Sequence, residues 1–257
     1  MITIKSAEEI GKMRRAGALL HQVLEELKTL VKPGVTTAYI DQVAEKLIRD
    51  GGAIPSSKGY EGFPASICAS VNDEVVHGFP TTKPLQEGDL LSIDCTLLLD
   101  GWQSDSAFSM AVGRADPETE KLIRVTEECF WIGLDQARAG NRIGDIGHAV
   151  QEHAEKNGYG VIRDLCGHGI GREMHEDPSV PNFGTAGRGV RLRPGMVFTI
   201  EPMIARGRWP IYVDDNGWTI ITRDHSRCSH YEHTLVVTTG DPELLSYPGA
   251  TIRRFPG

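Results

Sequence analysis

The chain has 257 residues, of which 40% are hydrophobic and 24% charged, and these fractions are typical of a globular domain. Its 27 basic and 35 acidic residues give a net charge of −8 at pH 7, which argues against binding nucleic acid through phosphate neutralisation. No apolar run approaches the roughly 20 residues that span a bilayer. The five cysteines have no Cys-x-x-Cys spacing, which argues against a disulfide framework or a zinc knuckle. The composition therefore predicts a cytoplasmic protein with no specific nucleic-acid partner and no membrane partner.

Four helices are predicted from caps, apolar periodicity and breaks at glycine. The first opens at Ser6, which has capping-box spacing to Glu9, and ends before Pro33-Gly34. The other three run from about Thr37 to Asp50, from Asp116-Pro117 to about Arg138, and from Ile143 to Lys156. Strand-forming residues follow each pair of helices, and in the second half they form strand-like stretches at 195–204, 218–224 and 231–239.

The order of helices and glycines repeats along the chain. A shift of 106 positions superposes Gly34 on Gly140, Ile40 on Ile146 and Gly52 on Gly158. This repeat predicts two halves of similar plan, roughly 1–112 and 113–240. Because no flexible linker separates them, we expect the halves to share one sheet system within a single domain that covers 1–257.

The clearest strand pair surrounds the Asp-Gly dipeptide at 100–101, a strong signal for a type I′ hairpin. With these residues in the turn, Asp94 faces Ala107 and Thr96 faces Asp105, and all four side chains lie on one face of the pair. Asp94 and Asp105 are then diagonal neighbours, and a divalent cation would remove their mutual repulsion. Taken alone, the pair is better explained as an ordinary solvent-facing strand.

Three further segments carry residues that can bind metal. His168 and His175 lie in a glycine-rich segment, for which a turn with incidental histidines is an equally good interpretation. Glu201 ends an apolar strand and Glu232 opens another, positions where a lone glutamate is usually just solvated. Together with Asp94 and Asp105, these residues offer four carboxylates and an imidazole, a set that suits a pair of Mn, Fe, Co or Zn ions. Such a pair leaves a position for a bridging water.

The sequence resembles the type I methionine aminopeptidases from about Ile2 to Thr238. The resemblance is carried by five ordered motifs: SVNDEVVHGFP with His77, Ile93-Asp94-Cys95-Thr96 followed by Asp105, the segment from Gly167-His168-Gly169 to His175-Glu176, Thr199-Ile200-Glu201-Pro202, and Tyr231-Glu232-His233. It implies an α+β pita-bread (creatinase/aminopeptidase) fold, with two pseudo-symmetric halves around a curved antiparallel sheet and flanking helices. It also implies metal-dependent removal of the initiator methionine from nascent proteins and peptides, with a preference for a small second residue.

The resemblance assigns roles to the candidate residues. Asp94 would be a bidentate ligand of one divalent cation, His168 and Glu201 would bind the other, and Asp105 and Glu232 would bridge the two. Thr96 would support the first of these sites. The residues that would contact substrate are His77 and His175 at the scissile amide, and Tyr60, Phe63, Cys68, Met174 and Trp218 around the methionine side chain, which needs a mainly apolar cavity.

The chemistry of such a site predicts a mechanism. A metal-bridging hydroxide attacks the scissile carbonyl, Glu201 takes and relays the proton of the water, and a histidine helps to stabilise the oxyanion. Peptide substrates, including nascent chains on the ribosome, need a free α-amine, so acetylation or formylation should abolish turnover. Ser57 stands where some relatives carry a cysteine and Met174 where an aromatic residue is common, and both differences predict a looser pocket.

Two alternative functions, and a second type of methionine aminopeptidase, share the predicted fold. An X-Pro peptidase has a similar metal set, but those relatives carry a substantial extra N-terminal domain, whereas only two helices precede the pocket segment near Tyr60. A type II methionine aminopeptidase would carry a helical insertion, for which the path from Glu201 to Glu232 is too short. A non-catalytic binding module on this fold would be marked by loss of ligands, and all five are present.

Overall fold

The structure is a computed structural model that describes residues 1–255, so the last two residues of the predicted 1–257 domain lie outside the described range. Its α-helices are α1 (Ala7–Leu30), α2 (Thr37–Asp50), α3 (Pro117–Gln136) and α4 (Ile143–Lys156). All four predicted helices are confirmed, with α3 ending two residues earlier than expected. No helix in residues 1–255 is both long and apolar enough to cross a membrane.

The caps of α1 and α3 explain where these helices begin. The Glu9 backbone N–H donates to the Ser6 hydroxyl, and the Ser6 backbone N–H donates to the Glu9 carboxylate, which completes the predicted capping box. In α3, Asp116 accepts hydrogen bonds from the backbone N–H groups of Glu118 and Thr119. Both caps satisfy donors that a first helical turn would otherwise leave unpaired.

The repeat noted in the sequence has a structural counterpart. Helices α2 and α4 are both 14 residues long and begin 106 positions apart. Gly34 and Gly140, the glycines before them, both have positive φ angles, of 88° and 98°, which glycine adopts without steric cost. Ile40 and Ile146 are both completely buried. The two halves therefore use the same local devices at equivalent positions.

The strands are short except for one long hairpin. In chain order they are β1 (Ile54–Pro55), β2 (Ile67–Val71), β3 (Glu74–Val76), β4 (Leu90–Leu99), β5 (Trp102–Ala111), β6 (Gly160–Val161), β7 (Cys166–Gly169), β8 (Glu176–Pro181), β9 (Val197–Ile200), β10 (Met203–Ala205), β11 (Ile211–Val213), β12 (Ile220–Thr222), β13 (Cys228–His230), β14 (Glu232–Val236) and β15 (Glu243–Leu244).

The main sheet joins the two halves of the chain. Its strand order is β1-β4-β5-β14-β9-β7-β8, with β2 paired to β4 and β15 to β14, and every pairing is antiparallel. Strand β14 pairs with β5 on one side and with β9 on the other. There are also two three-stranded sheets, β13-β10-β6 and β11-β12-β3, and the second of these joins β3 of the first half to two strands of the second half.

The β4–β5 hairpin has the predicted register, with Asp94 opposite Ala107 and Thr96 opposite Asp105. One of its faces is fixed by the core. Ile93 and Leu97 are completely buried in a cluster with α1 and α2, and burying one such side chain contributes about 1.5–3 kcal/mol. Since side chains alternate along a strand, positions 94 and 96 must lie on the opposite face.

The second half follows the same plan. Phe130 and Leu134 of α3 and Ile146 of α4 share one buried cluster with Phe198 and Ile200 of β9. The strand-like stretch 195–204, however, does not form one strand. It is split into β9 and β10, which belong to different sheets, and the break includes Pro202, which has no N–H to donate to a ladder. Glu201 lies at this break.

Candidate metal centre

The five predicted metal ligands come from five separate strand positions and line one cavity of about 900 Å3. Asp94 lies in β4, Asp105 in β5 and His168 in β7, while Glu201 follows β9 and Glu232 opens β14. The antiparallel order β4-β5-β14-β9-β7 brings these positions side by side across the sheet. The same cavity is lined by every other predicted site residue: Ser57, Tyr60, Phe63, Cys68, His77, Thr96, Met174, His175 and Trp218.

The distances between donor atoms fit shared metal coordination. His168 Nε2 lies 3.6 Å from Glu201 Oε1 and 3.8 Å from Asp105 Oδ2. Donor atoms of Asp105, His168 and Glu232 all lie within 4.8 Å of one another. Two donors that each lie about 2.0–2.2 Å from one ion are separated by roughly 3–4 Å. Glu201, His230 and Glu232 form a second group of donors within 4.8 Å of one another. Asp94 lines the same cavity but belongs to neither group among the described residues.

The carboxyl groups of this cavity lie in surroundings that disfavour their ionised forms. Burial, and then repulsion from the other carboxylates, raises the pKa of Asp94 and Glu232 well above the usual range, and burial and Asp105 do the same for Glu201. Burial also raises the pKa of Asp105, although a hydrogen bond from Thr96 at 2.8 Å acts in the opposite direction. Within residues 1–255, no lysine or arginine lines the cavity.

The donor set fits divalent cations. Glu232 is only 2% exposed, and its Oε1 is buried without a hydrogen-bond partner, an arrangement that costs free energy unless a ligand completes it. The His168 Nδ1 lies 3.0 Å from the Gly169 carbonyl oxygen, which favours the tautomer that leaves Nε2 free as a metal ligand. Oxygen donors with one imidazole suit Mn, Fe, Co or Zn.

Thr199 is a supporting residue to which the sequence analysis gave no role. Its buried hydroxyl accepts the His168 backbone N–H at 3.0 Å and donates to Glu201 Oε1 at 2.8 Å, so it links two predicted ligands. Asn182 adds a hydrogen bond to the Glu201 carbonyl oxygen at 2.9 Å. Thr199 lies in β9, two residues before Glu201, which directly follows the strand, and this spacing is the signal that could have identified it.

The segment around His168 is a strand, so its interpretation as a glycine-rich turn is wrong. Its glycines allow close packing against the neighbouring strands. Residues Cys166–Gly169 form strand β7, and neither Gly167 nor Gly169 has a positive φ angle. A Cβ atom on Gly167 would lie 2.5 Å from the Thr199 carbonyl oxygen, and one on Gly169 would overlap the Asp177 carbonyl oxygen. Only glycine lets β7 approach both neighbouring strands closely enough.

The predicted substrate-contacting residues form the wall and mouth of the cavity. Tyr60 OH lies 2.9 Å from His175 Nδ1, and both residues are exposed at the mouth. Deeper in, the Trp218 ring packs edge-on against Phe63 at 5.2 Å and His77 at 6.1 Å between ring centroids. Cys68 and Met174 are also buried. These contacts give an aromatic and sulfur-lined pocket beside the carboxylates.

Besides His168, three histidines line the cavity, and the pKa of each is lowered, which favours the neutral imidazole. Burial lowers the pKa of His77 and of His175, and in each case a neighbouring histidine lowers it further. Burial also lowers the pKa of His230 to about 3, with a smaller contribution from His77. His230, at the end of β13, was missed by the sequence analysis, although it lies two residues before Glu232, the spacing that also separates Thr199 from Glu201.

Comparison with known proteins identifies full-length relatives. The sequence profile of metallopeptidase family M24 matches residues 11–239. A methionine aminopeptidase of Clostridium acetobutylicum is 50% identical over 247 residues, which cover 96% of this chain and 99% of the relative. Methionine aminopeptidase 1 of Bacillus subtilis is 44% identical over 246 residues, with 96% and 99% covered.

Solved structures match over the same range. The crystal structure of methionine aminopeptidase from Rickettsia prowazekii superposes with a TM-score of 0.95 at 42% identity, covering 96% of this chain and all of that one (100%). A prolidase structure from Pyrococcus horikoshii gives a TM-score of 0.77 at 21% identity, covering 97% of this chain and 65% of that one. At this identity the prolidase likeness shows a shared fold and nothing more.

Proposed function

The chain belongs to metallopeptidase family M24, and from this membership we propose that it removes the N-terminal methionine of proteins and peptides by metal-dependent hydrolysis. The observation that carries the proposal is the convergence of four carboxylates and His168 on one cavity that no described lysine or arginine lines. The predicted α+β pita-bread fold is confirmed, because solved structures of this family superpose on nearly the whole chain.

The proposed cofactor is a pair of divalent cations. Asp94 would bind one ion, His168 and Glu201 the other, and Asp105 and Glu232 would bridge them. Support comes from the donor separations of 3.6 and 3.8 Å around His168 and from the unpartnered oxygen of Glu232. When bound, the ions supply Lewis acidity and a water molecule of lowered pKa as the nucleophile.

Glu201 is the residue proposed to accept and pass on the proton of that water. The Thr199 hydroxyl donates to its Oε1, which fixes the carboxylate and leaves the second oxygen free. His77 and His175 are neutral at pH 7, so each can present an N–H to the carbonyl oxygen of the scissile amide. The Tyr60 hydroxyl lies 2.9 Å from His175 Nδ1, and this contact orients the His175 ring.

The proposed substrates are peptides and nascent chains with a free N-terminal methionine and a small second residue. The α-amine would lie against the carboxylates, which attract its positive charge, and the thioether against Phe63, Cys68 and Trp218. Met174 and Ser57 line the same cavity and would set how tightly the methionine side chain of the substrate is held. We place the reaction in the cytoplasm, since the five cysteines are all free thiols. We assign it to a single catalytic domain.

The test is release of free methionine from Met-Ala-Ser by protein that has been stripped with chelator and resupplied separately with Co, Mn, Fe or Zn. Glu201→Gln should lower kcat by a factor of about 100 or more, because it removes the proton acceptor. Glu173→Gln is the matched control, since Glu173 is an exposed carboxylate of the same cavity outside the proposed ligand set. It should retain activity.

Peptide variants separate the proposal from its alternatives. Acetyl-Met-Ala-Ser should not be cleaved, because it lacks the free amine. Release of the first residue only from X-Pro peptides would replace the proposal by an X-Pro peptidase. Metal binding without hydrolysis of any of these peptides would leave a non-catalytic binding module on the same fold.

A further inference from the structure

His230 is a buried histidine in the cavity wall for which the proposed mechanism has no use. It is only 1% exposed, and its Nε2 has no hydrogen-bond partner. A buried imidazole nitrogen without a partner is costly, and in native proteins such a group usually serves a ligand. The unpartnered nitrogen therefore requires an explanation that the peptide chain itself does not provide.

The backbone holds this ring in a defined place. The His230 N–H donates to the Ser109 hydroxyl at 2.9 Å, and the same hydroxyl donates back to the His230 carbonyl oxygen at 2.8 Å. Strand β13 also pairs with β10, with His230 opposite Met203. These contacts fix the backbone of His230, and its side chain is buried in the cavity wall.

The nitrogen points at the carboxylates of the metal centre. His230 Nε2 lies 3.7 Å from Glu232 Oε2, and donor atoms of Glu201, His230 and Glu232 all lie within 4.8 Å of one another. His168 Nε2 stands in the same relation to its carboxylates, at 3.6 and 3.8 Å. Each of the two histidines thus lies 3.6–3.8 Å from carboxylate oxygens of the proposed metal centre, His168 from those of Asp105 and Glu201 and His230 from that of Glu232.

We propose that His230 is a further nitrogen ligand of the metal centre, bound through Nε2 on the side formed by Glu201 and Glu232. This inference rests on the metal centre of the proposed function and adds a residue to it. A second imidazole makes the site less purely oxygen-based, which favours Zn, Co and Fe over Mn. His230 would therefore shape which divalent cation the protein retains.

The decisive measurement is the proton NMR spectrum of the Co²⁺-loaded protein. A histidine that binds Co²⁺ through Nε2 carries an Nδ1–H with a large paramagnetic shift, and this signal disappears in D2O. The wild-type protein should show two such signals, one from His168 and one from His230. His230→Gln should remove one of them, whereas His77→Gln, which changes a half-buried histidine of the same cavity, should keep both.

Metal affinity gives a second readout. His230→Gln should weaken Zn²⁺ binding about 10- to 100-fold in a chelator competition, with a smaller loss for Mn²⁺, and His77→Gln should leave both affinities unchanged. If His230→Gln does not fold, the number of signals in the wild-type spectrum still decides.

The outcomes distinguish this inference from the proposed function. A single exchangeable shifted signal that His168→Gln removes and His230→Gln leaves in place would overturn the role of His230 while the metal centre stands. No shifted signal from either histidine, or no Co²⁺ bound at all, would overturn the metal centre and this inference together.

Discussion

Thr199→Val tests whether the hydroxyl between His168 and Glu201 organises the metal centre. The substitution keeps the shape of the side chain but removes an acceptor for the His168 N–H, at 3.0 Å, and a donor to Glu201 Oε1, at 2.8 Å. Thr199 is completely buried, so water cannot replace either bond. Both proposed ligands of one ion would lose a fixed partner.

The expected losses of stability and of metal affinity follow from the two hydrogen bonds taken separately. An unsatisfied His168 N–H costs about 1–3 kcal/mol of unfolding free energy. The bond to Glu201 matters most when that carboxylate is charged, as it is with metal bound, and hydrogen bonds to charged groups contribute about 1.5–3 kcal/mol. That range corresponds to a loss of about 10- to 150-fold in metal affinity.

The assay is a chelator competition with Co²⁺ or Zn²⁺ on wild type, Thr199→Val and Thr199→Ser, alongside thermal unfolding of each. Thr199→Ser keeps the hydroxyl and should bind metal within a few-fold of wild type. If a folded Thr199→Val protein binds metal as tightly as wild type, the hydroxyl does not organise the site and the reasoning is refuted.

The remaining predictions concern pH, strand packing and a buried ion pair. In metal-free protein, the pKa of Glu232 is raised, so the folded state binds more protons than the unfolded state. The stability that this proton contributes is fully present below the unfolded-state pKa of about 4.3, and it is lost as the pH rises through the folded-state pKa. The Tm should fall as the pH rises above about 4.3, and less steeply in Glu232→Gln; a Tm that rises with pH there, or an unchanged slope in the variant, would contradict this. Gly167→Ala should cost about 2–3 kcal/mol in denaturant unfolding, because its Cβ would lie 2.5 Å from a β9 carbonyl oxygen, against 3.4 Å or more in ordinary contact. The control Gly11→Ala meets no atom within 4 Å and should stabilise α1 by about 0.5–1 kcal/mol; equal effects of the two substitutions would argue against the packing account. Lys5→Met removes the charged partner at 2.6 Å from the partly buried Glu176, which keeps its hydrogen bonds from Thr3, Arg172 and Glu173, and should cost about 1.5–3 kcal/mol in the same assay, so a loss below about 1 kcal/mol would show that the pair is unimportant.

Local signals in the sequence were enough for the helices and the long hairpin. The capping box at Ser6, the Asp-Gly turn at 100–101 and the alternation of side chains each act within a few residues, so they can be recognised without the rest of the fold. They correctly gave α2, α4 and the register that opposes Thr96 and Asp105. The types of the candidate ligands, acidic residues and one histidine, were likewise readable from the chain.

The arrangement of the site could not be read in this way. Glu201 and Glu232 reach the hairpin only because β14 pairs with both β5 and β9. The β14–β5 pairing joins residues more than a hundred positions apart, and the β14–β9 pairing joins residues more than thirty positions apart. Nor did the sequence show that 195–204 is split between two sheets, because the apolar pattern continues across the break at Pro202.

The sequence by itself determined the elements, the hairpin register and the chemical types of the candidate ligands, since each depends on neighbours along the chain. The tertiary structure decided which side chains meet. Thr199 links His168 to Glu201, Gly167 allows two strands to approach, and His230 lies in one donor group with Glu201 as well as with its chain neighbour Glu232. These relations depend on distances between strands, which long-range pairing and packing set.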